Sequence, residues 1–295
     1  MSDPIERTVD GHEIRLTSPD RVVYPSTGMT KLEVLEYYLE VAPALIPLAQ
    51  DRPVTRKRWL QGVGTVKKPG PSFFHKDIDD DAPDWFTTHQ QKHRDHTNTY
   101  PIIDSPAVLA WYVQRGTIEF HVPQWRFGPR GARLKPDRLV IDLDPGPRAG
   151  LEECVQVATM VRDRLAQQGI ATCPATSGSK GVHIYGRLDG SLTSDKATAL
   201  AKELAESIQA DAPDLAVANI RKAQREGKVL IDWSQNRAAK TTVAPYSLRG
   251  RVRPWVAVPR TWDELLDPAL EQLEHTEVLR LLKRRPCPLL ALTPR

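Results

Sequence analysis

The chain is poor in the features that would class it at a glance. Its 295 residues include three cysteines, Cys154, Cys173 and Cys287. These are too few and too scattered for a disulfide framework or a cysteine-type zinc site. No apolar run approaches the ~20 residues of a membrane span, and the N-terminus lacks the pattern of a signal peptide. There is no internal repeat and no low-complexity linker. Nor is there a large excess of either charge: 41 Lys and Arg against 37 Asp and Glu give a formal net charge of +4. These absences argue against a disulfide-stapled secreted module, a membrane span and a repeat array. With 40% hydrophobic and 26% charged residues, the expectation is an ordinary globular protein of a reducing, cytoplasmic compartment, with a sizeable core.

What is present is unevenly placed. Basic residues cluster at Arg56-Lys57-Arg58, Lys67-Lys68, Arg249/Arg251/Arg253 and Lys283-Arg284-Arg285. Such patches suit polyanions, although charge runs also serve as plain solvated surface. Residues 1–13 read as polar and loose. Thr30-Lys-Leu-Glu33 is a capping box that opens a helix striped by Leu32, Leu35, Leu39 and Ala42, which Pro43 should interrupt. A short strand with a basic face is expected over 52–60, and an extended, partly irregular excursion over 61–100. A helix follows over 105–114, and Thr117 to Val122 alternates as a strand with Glu119 and His121 opposite Ile118, Phe120 and Val122. Helices are expected over 151–168, 194–209 and 274–284, and strands over 139–144, 170–174, 182–186 and 228–233. Thr261-Trp-Asp-Glu264 is a further capping box. Mixed strands and helices of this order suggest one α+β domain rather than a βαβ series.

The run Arg138-Leu-Val-Ile-Asp-Leu-Asp-Pro-Gly146 carries the clearest chemistry. Alternation puts Leu139, Ile141 and Leu143 on one strand face and Val140, Asp142 and Asp144 on the other. Two carboxylates so close repel unless a cation sits between them, and hard oxygen donors are what Mg²⁺ or Mn²⁺ takes. The pair could equally end a strand at a solvated turn. Asp232, in Val229-Leu-Ile-Asp-Trp-Ser234, is the natural third carboxylate. Three such aspartates are a ligand set for two divalent ions, which polarise an attacking 3′-hydroxyl and a leaving pyrophosphate. A nuclease or phosphatase could use the same set.

A candidate anion site lies in Ser177-Gly-Ser-Lys-Gly-Val-His-Ile-Tyr185. Small residues let backbone N–H groups approach an anion, and Lys180 adds a point charge. The spacing is not that of a Walker A loop. His183 follows the loop on a strand face shared with Tyr185, where substrate contact competes with a structural role. Gln235, Asn236 and Lys240, then Arg249 and Arg251, form a basic segment after Asp232 that suits phosphate or is a solvated loop. Phe73-Phe74 beside His75 and Lys76 is a stacking platform or a piece of core. His89, His93 and His96 have spacings that zinc could use, without a convincingly placed Cys or acidic partner.

Together, Asp142-Leu-Asp-Pro, Ser177 to Tyr185, Ile231-Asp-Trp-Ser-Gln-Asn236 and Ala244-Pro-Tyr-Ser-Leu-Arg-Gly-Arg251 resemble one family closely. Supporting stretches are Arg21-Val-Val-Tyr-Pro-Ser-Thr-Gly28, Arg56-Lys-Arg-Trp59, Tyr100-Pro-Ile-Ile-Asp104 and His121-Val-Pro-Gln-Trp-Arg-Phe127. The family is the polymerase domain of bacterial ligase D, the non-homologous end-joining polymerase of the archaeo-eukaryotic primase superfamily. The resemblance runs from about Leu16 to Leu282 and implies a primase-like α+β core and template-directed nucleotidyl transfer that fills gaps and extends broken DNA ends. It also implies a preference for ribonucleotides, with Mn²⁺ or Mg²⁺ as the metal and a nucleoside triphosphate as substrate. By the same resemblance Asp142, Asp144 and Asp232 bind the metals. Ser177, Lys180, His121 and Arg249 hold the triphosphate, with Gln235, Ser179 and Lys57 nearby, and Phe73 and Phe74 stack near template and nucleotide. Arg21 and Lys31 match the positions that receive the 5′-phosphate of a downstream DNA end, the first as arginine where the family has lysine. Arg225 matches a loop residue that helps position the aspartates. The implied partners are gapped or broken DNA, the Ku end-binding protein and a DNA ligase, and the implied setting is a monomer at the nucleoid. Residues 14–135 would then carry DNA-end and template contacts, 136–260 the catalytic core and 261–295 C-terminal helices. A metal-dependent phosphodiesterase and a non-catalytic basic DNA-binding module are the competing readings, and a triphosphate cradle argues against the former.

Overall fold

The structure is a computed structural model that describes residues 3–93, 95–219, 221 and 224–292. Its start corrects one expectation. Ile5–Val9 (β1) and His12–Leu16 (β2) pair antiparallel, from Ile5↔Leu16 to Val9↔His12. Asp10 and Gly11 turn between them with φ of 48° and 78°. Two central residues at positive φ suit an Asp-Gly hairpin turn, and Ile14 and Leu16 anchor the hairpin in the core. The segment is therefore ordered rather than loose.

A short pair, Val22–Tyr24 (β3) and Met29–Thr30 (β4), leads into the helix Lys31–Ala49 (α1), opened by the Thr30/Glu33 capping box. Contrary to expectation, α1 runs through Pro43 and on through Pro47. Both prolines lie on the solvent side, so the carbonyls they leave without a partner are turned toward water. A proline inside a helix costs about 3 kcal/mol. Leu45, Leu48 and Ala49, fully buried beyond Pro43, offset part of that cost by entering the core, each leucine by about 2 kcal/mol.

The basic strand is Thr55–Arg58 (β5), and the excursion after it is more ordered than its polar sequence suggests. It holds Phe73–His75 (β6) and a hairpin of Thr88–Lys92 (β7) and Thr97–Pro101 (β8). Its acidic run is a clamp. Asp79 accepts from Arg56 at 3.2 Å and Arg58 at 2.9 Å, and Asp77 accepts from the Thr99 amide at 2.7 Å. Ser105 caps the helix Pro106–Gln114 (α2), and the strand Thr117–Val122 (β9) has the expected bounds.

The acidic strand is Arg138–Pro145 (β10). Leu151–Gln167 (α3), Thr172–Thr176 (β11), Val182–Arg187 (β12), Ser194–Asp211 (α4), Ala216–Val217 (β13) and Val229–Asp232 (β14) follow. Strand β11 starts two residues later than expected because the C-terminal turn of α3 continues through Ile170, whose N–H reaches the Leu165 carbonyl at 2.9 Å. Strand β14 stops at Asp232, whose side chain caps a single 3₁₀ turn over Trp233–Asn236. Thr242–Val243 (β15), Val258–Pro259 (β16), Trp262–Leu266 (α5) and His275–Arg284 (α6) complete the regular elements named here.

Two sheets organise the site. One has the order β13-β14-β10-β12-β11-β16, antiparallel except for β13 beside β14, and the other has the order β15-β9-β5-β6. The large sheet is covered on one face by α3 and α4, against Leu139, Ile141, Leu143, Val182, Ile184 and Ile231. From its other face Val140 and Tyr185 enter a second core, with Ile118, Phe120 and Val122 of β9 and the buried stripes of α1 and α2. This is an α+β fold, as the sequence led us to expect. Along β10 that second face passes from core at Val140 to a half-buried Asp142 and an exposed Asp144.

Candidate active site

Strand register brings the acidic residues together. Asp142 lies opposite Asp232 on β14 and opposite His183 on β12. Residues opposite one another on antiparallel strands share a face. Asp144, two residues further along β10, shares it too and stands exposed at the strand end. His183 Nε2 is 3.4 Å from Asp142 Oδ1, and its buried Nδ1 has no hydrogen-bond partner. Asp232 is held firmly: Oδ1 accepts from the Ser234 amide at 3.0 Å and hydroxyl at 2.6 Å, and Oδ2 from Gln235 Nε2 at 2.9 Å. Gln235, expected beside the triphosphate, braces the Asp232 carboxylate.

The aspartates perturb one another. The charge on Asp142, followed by partial burial, raises the Asp144 carboxyl from 3.8 to about 6. His183 and Arg225 oppose the rise. Arg225 sits where β10 ends, and a Cβ on Gly146 would come within 1.8 Å of its carbonyl oxygen, so the turn after Asp144 packs flush on the Arg225 loop. Among the described residues, no three His, Cys, Asp or Glu side chains close around one point. Like-charged carboxylates repel, and a cation between them relieves the repulsion. Hard oxygen donors, with one carboxyl displaced toward neutrality by its neighbour, are a set that fits a divalent cation.

The candidate anion loop abuts the same strand. A Cβ on Gly181 would lie 1.9 Å from the Leu143 carbonyl, which places the 177–181 loop directly on β10. Part of the sequence reading needs correction here, because the loop's amides are largely used internally. Ser177 Oγ accepts from the amides of Ser179 at 3.3 Å and Gly181 at 3.2 Å, and Gln272 accepts from the Gly178 amide at 2.7 Å. Gln272 also donates to the Gly181 carbonyl at 3.0 Å. Instead of presenting its amides, the loop presents Lys180, whose side chain is exposed. Arg249 crosses to the loop and donates to the Ser177 carbonyl. Gly178, at φ +66°, has room for no Cβ, which would meet Arg249 Cγ and the Val256 backbone at 2.6 Å.

Behind Arg249 lies β9. Glu119, 2% exposed, accepts from His121 Nε2 at 2.7 Å and from the Gly250 amide at 2.8 Å, and its Oε1 is 3.5 Å from Arg249 Nε. Burial disfavours its charge, but the His121 hydrogen bond and the nearby charges of Arg249 and Lys57 hold the carboxyl far below its ordinary range. Lys57 Nζ lies 4.7 Å from the Trp59 ring and 5.2 Å from that of Phe74, and the Phe74 ring meets His121 edge-on at 5.4 Å. Phe73 and Phe74 are 45% and 57% exposed on the edge strand of their sheet, so they are not core residues.

Arg21 and Lys31 stand elsewhere, together in a cleft of about 690 Å³ lined also by Arg15, Arg58, Arg115, Trp111 and Gln114. Arg21 donates to the Leu60 carbonyl at 2.7 Å. Lys31, 3% exposed, donates to the Thr17 carbonyl at 2.9 Å and to Gln114 Oε1 at 2.6 Å. Burial and then the Arg21 charge lower its ammonium to about 8, so an anion entering the cleft would be met by a cation short of countercharge. Arg251 is exposed beyond Arg249. Of the three histidines on the β7–β8 hairpin, His96 spends both ring nitrogens on Asp95 and Asn98, His93 stacks on it at 4.7 Å, and His89 packs on Phe127 at 4.9 Å. Sequence reasoning missed Glu119, Gln272 and the Arg15 and Arg115 cations of the 690 Å³ cleft. Each meets partners distant in sequence, and the one local hint was the polar face of β9.

An acidic strand pair beside a basic loop and a second basic cleft, on an α+β scaffold, can serve phosphoryl or nucleotidyl transfer. Residues 30–289 match the model of the LigD primase-polymerase domain. The chain is 48% identical over 276 residues, 92% of its length, to the multifunctional non-homologous end joining DNA repair protein LigD of Mycobacterium tuberculosis, and covers 36% of that protein. It is 30% identical over 280 residues to the bifunctional LigD of Bacillus subtilis, covering 43% of it. The chain therefore spans well under half the length of these relatives. It also superposes on the polymerase domain of M. tuberculosis ligase D, solved in complex with DNA, with a TM-score of 0.90 and 46% identity, over 95% of this chain and 99% of that one. The chain belongs to the LigD primase-polymerase family and is a nucleotidyltransferase of that type.

Proposed function

We propose that this chain is a template-directed polymerase of DNA break repair, which fills gaps and extends ends with ribonucleotides by two-metal nucleotidyl transfer. The register of Asp142 opposite Asp232, with Asp144 at the open end and the Ser177–Arg249 anion site against the same strand, carries the reading. Asp142, Asp144 and Asp232 would hold Mn²⁺ or Mg²⁺, which supplies charge for deprotonating a 3′-hydroxyl and for stabilising the departing pyrophosphate. Lys180, Arg249, His121 and Lys57, with Ser177 and Ser179 of the loop, grip the triphosphate. His183 sits at the junction of the acidic and anionic halves. Phe74 and Phe73 offer exposed ring faces to nucleotide and template. Arg225 steadies Asp144, and Arg251 contacts DNA.

The 690 Å³ cleft takes the 5′-phosphate of the downstream end, with Arg21 and Lys31 as its charged floor. Residues 14–135 would serve DNA end and template, 136–260 the chemistry, and 261–295 would supply the C-terminal helices, with Gln272 bracing the anion loop. As the family resemblance implies, Ku and a DNA ligase would be partners in end joining, and the protein would work as a monomer at the nucleoid in the cytoplasm. No helix among the described residues is long and apolar enough to cross a membrane. The test is extension of a 5′-phosphorylated gapped duplex with Mn²⁺, comparing ribonucleotides with deoxyribonucleotides. Preferred ribonucleotide addition, dependent on template, supports the proposal. Phosphodiester cleavage without extension would turn it toward a nuclease.

A further inference from the structure

We propose that Glu119 is the positioning residue of the anion site: a single buried carboxylate that orients His121 and Arg249 together and supplies the countercharge for a His121 imidazolium when a triphosphate is bound. The inference rests on the reading that this anion site binds a nucleoside triphosphate. Its basis is a three-way contact between segments far apart in sequence. Glu119 takes the Nε2–H of His121 on its own strand, takes the Gly250 amide, and faces the guanidinium of Arg249. Arg249 Nε makes no hydrogen bond, so the guanidinium is aimed here by charge and by its donation to the Ser177 carbonyl.

A carboxylate of this kind can only accept, so His121 must carry its proton on Nε2. In the neutral ring that leaves a lone pair on Nδ1, which would repel a phosphate oxygen. For Nδ1 to donate to a phosphate, the ring must be doubly protonated. Burial, Arg249 and Lys57 work against that state in the free protein, and Glu119 works toward it. Around the ring stand Glu119 from β9, Lys57 from β5, Arg249 from the loop after β15, the Phe74 ring from β6 and apolar Val243 paired opposite on β15. A bound triphosphate reverses the balance that the two cations set, so nucleotide binding draws in a proton at His121. Glu119 is what makes the charged ring tolerable in so dry a place.

The test is calorimetric titration of the full chain with ATP alone, at pH 8 in two buffers of different ionisation enthalpy, with thermal melting of every variant. The wild type should take up protons on binding ATP, and His121→Ala should abolish the uptake. Glu119→Gln keeps the shape and loses the charge. It should bind ATP about 10- to 100-fold more weakly, with the uptake gone. Adding His121→Ala to Glu119→Gln should cost less than it costs the wild type. A wild type that binds ATP without proton uptake overturns the proposal, even if Glu119→Gln does not fold. So does a folded Glu119→Gln variant that matches the wild type in affinity and uptake. If Arg249→Ala binds ATP as well as the wild type, the triphosphate reading itself is what fails.

Discussion

Replacing Asp144 by asparagine should make the metal-free protein more stable while removing its response to divalent cations. In the fold, Asp142 and partial burial raise the Asp144 carboxyl from 3.8 to about 6. A carboxyl raised in this way is easier to protonate folded than unfolded. Its ionised form therefore destabilises the fold: the penalty is absent below pH 3.8, grows through the interval and is complete above pH 6. A displacement of about two pH units is worth about 3 kcal/mol at 1.36 kcal/mol per unit. Asp144 is exposed, so solvent screening cuts this to about 1–2 kcal/mol. Asp144→Asn should thus raise the melting temperature in EDTA at pH 7.5 by about 2–4 °C and leave it nearly unchanged at pH 4. Mn²⁺ should stabilise the wild type at pH 7.5 and far less at pH 5, where a proton holds the place of the cation, and should do little for the variant. Thermal unfolding with and without Mn²⁺, at three pH values, reads all of this. Equal melting temperatures in EDTA at pH 7.5, or equal Mn²⁺ shifts in both proteins, would refute the coupling between the two aspartates.

Other expectations follow from the same geometry. Arg21→Ala with Lys31→Ala should reduce the preference for a 5′-phosphorylated over an unphosphorylated gap about 10- to 100-fold, while basal extension persists; an unchanged ratio in a primer-extension assay would sink the assignment of the 690 Å³ cleft. Gly178→Ala forces a methyl against Arg249 and the Val256 backbone at positive φ, and should cost at least about 1 kcal/mol in denaturant unfolding and raise the nucleotide KM. Phe74→Ala removes an exposed ring, so stability should change by less than about 0.5 kcal/mol while extension weakens severalfold.

Much of this was legible in the sequence where the determinants are local. Strict alternation fixed which face of β10 carries Asp142 and Asp144, and Thr30, Ser105 and Thr261 marked helix starts that the structure keeps. Misreadings arose where distant packing outweighs local preference. Helix α1 runs through two prolines because Leu45 and Leu48 have a core to enter. The N-terminal hairpin is polar on the outside, and Val9, Ile14 and Leu16 are the buried apolar residues that tie it to the core. Glycines in the 177–181 loop suggested amides open to an anion, but Gln272, over ninety positions away, occupies one of them. Glu119 looked like one polar residue on an alternating strand until its partner at Gly250 came into view.

The central claim is that Asp142 and Asp232, opposite one another across two strands, are the chemical heart of a polymerase. The most direct test is extension of a 5′-phosphorylated gapped duplex with Mn²⁺ by the wild type, Asp142→Ala and Asp232→Ala, with binding to the same DNA measured in parallel. Either substitution should abolish extension and leave DNA binding largely intact. Extension that survives in either variant would contradict the account.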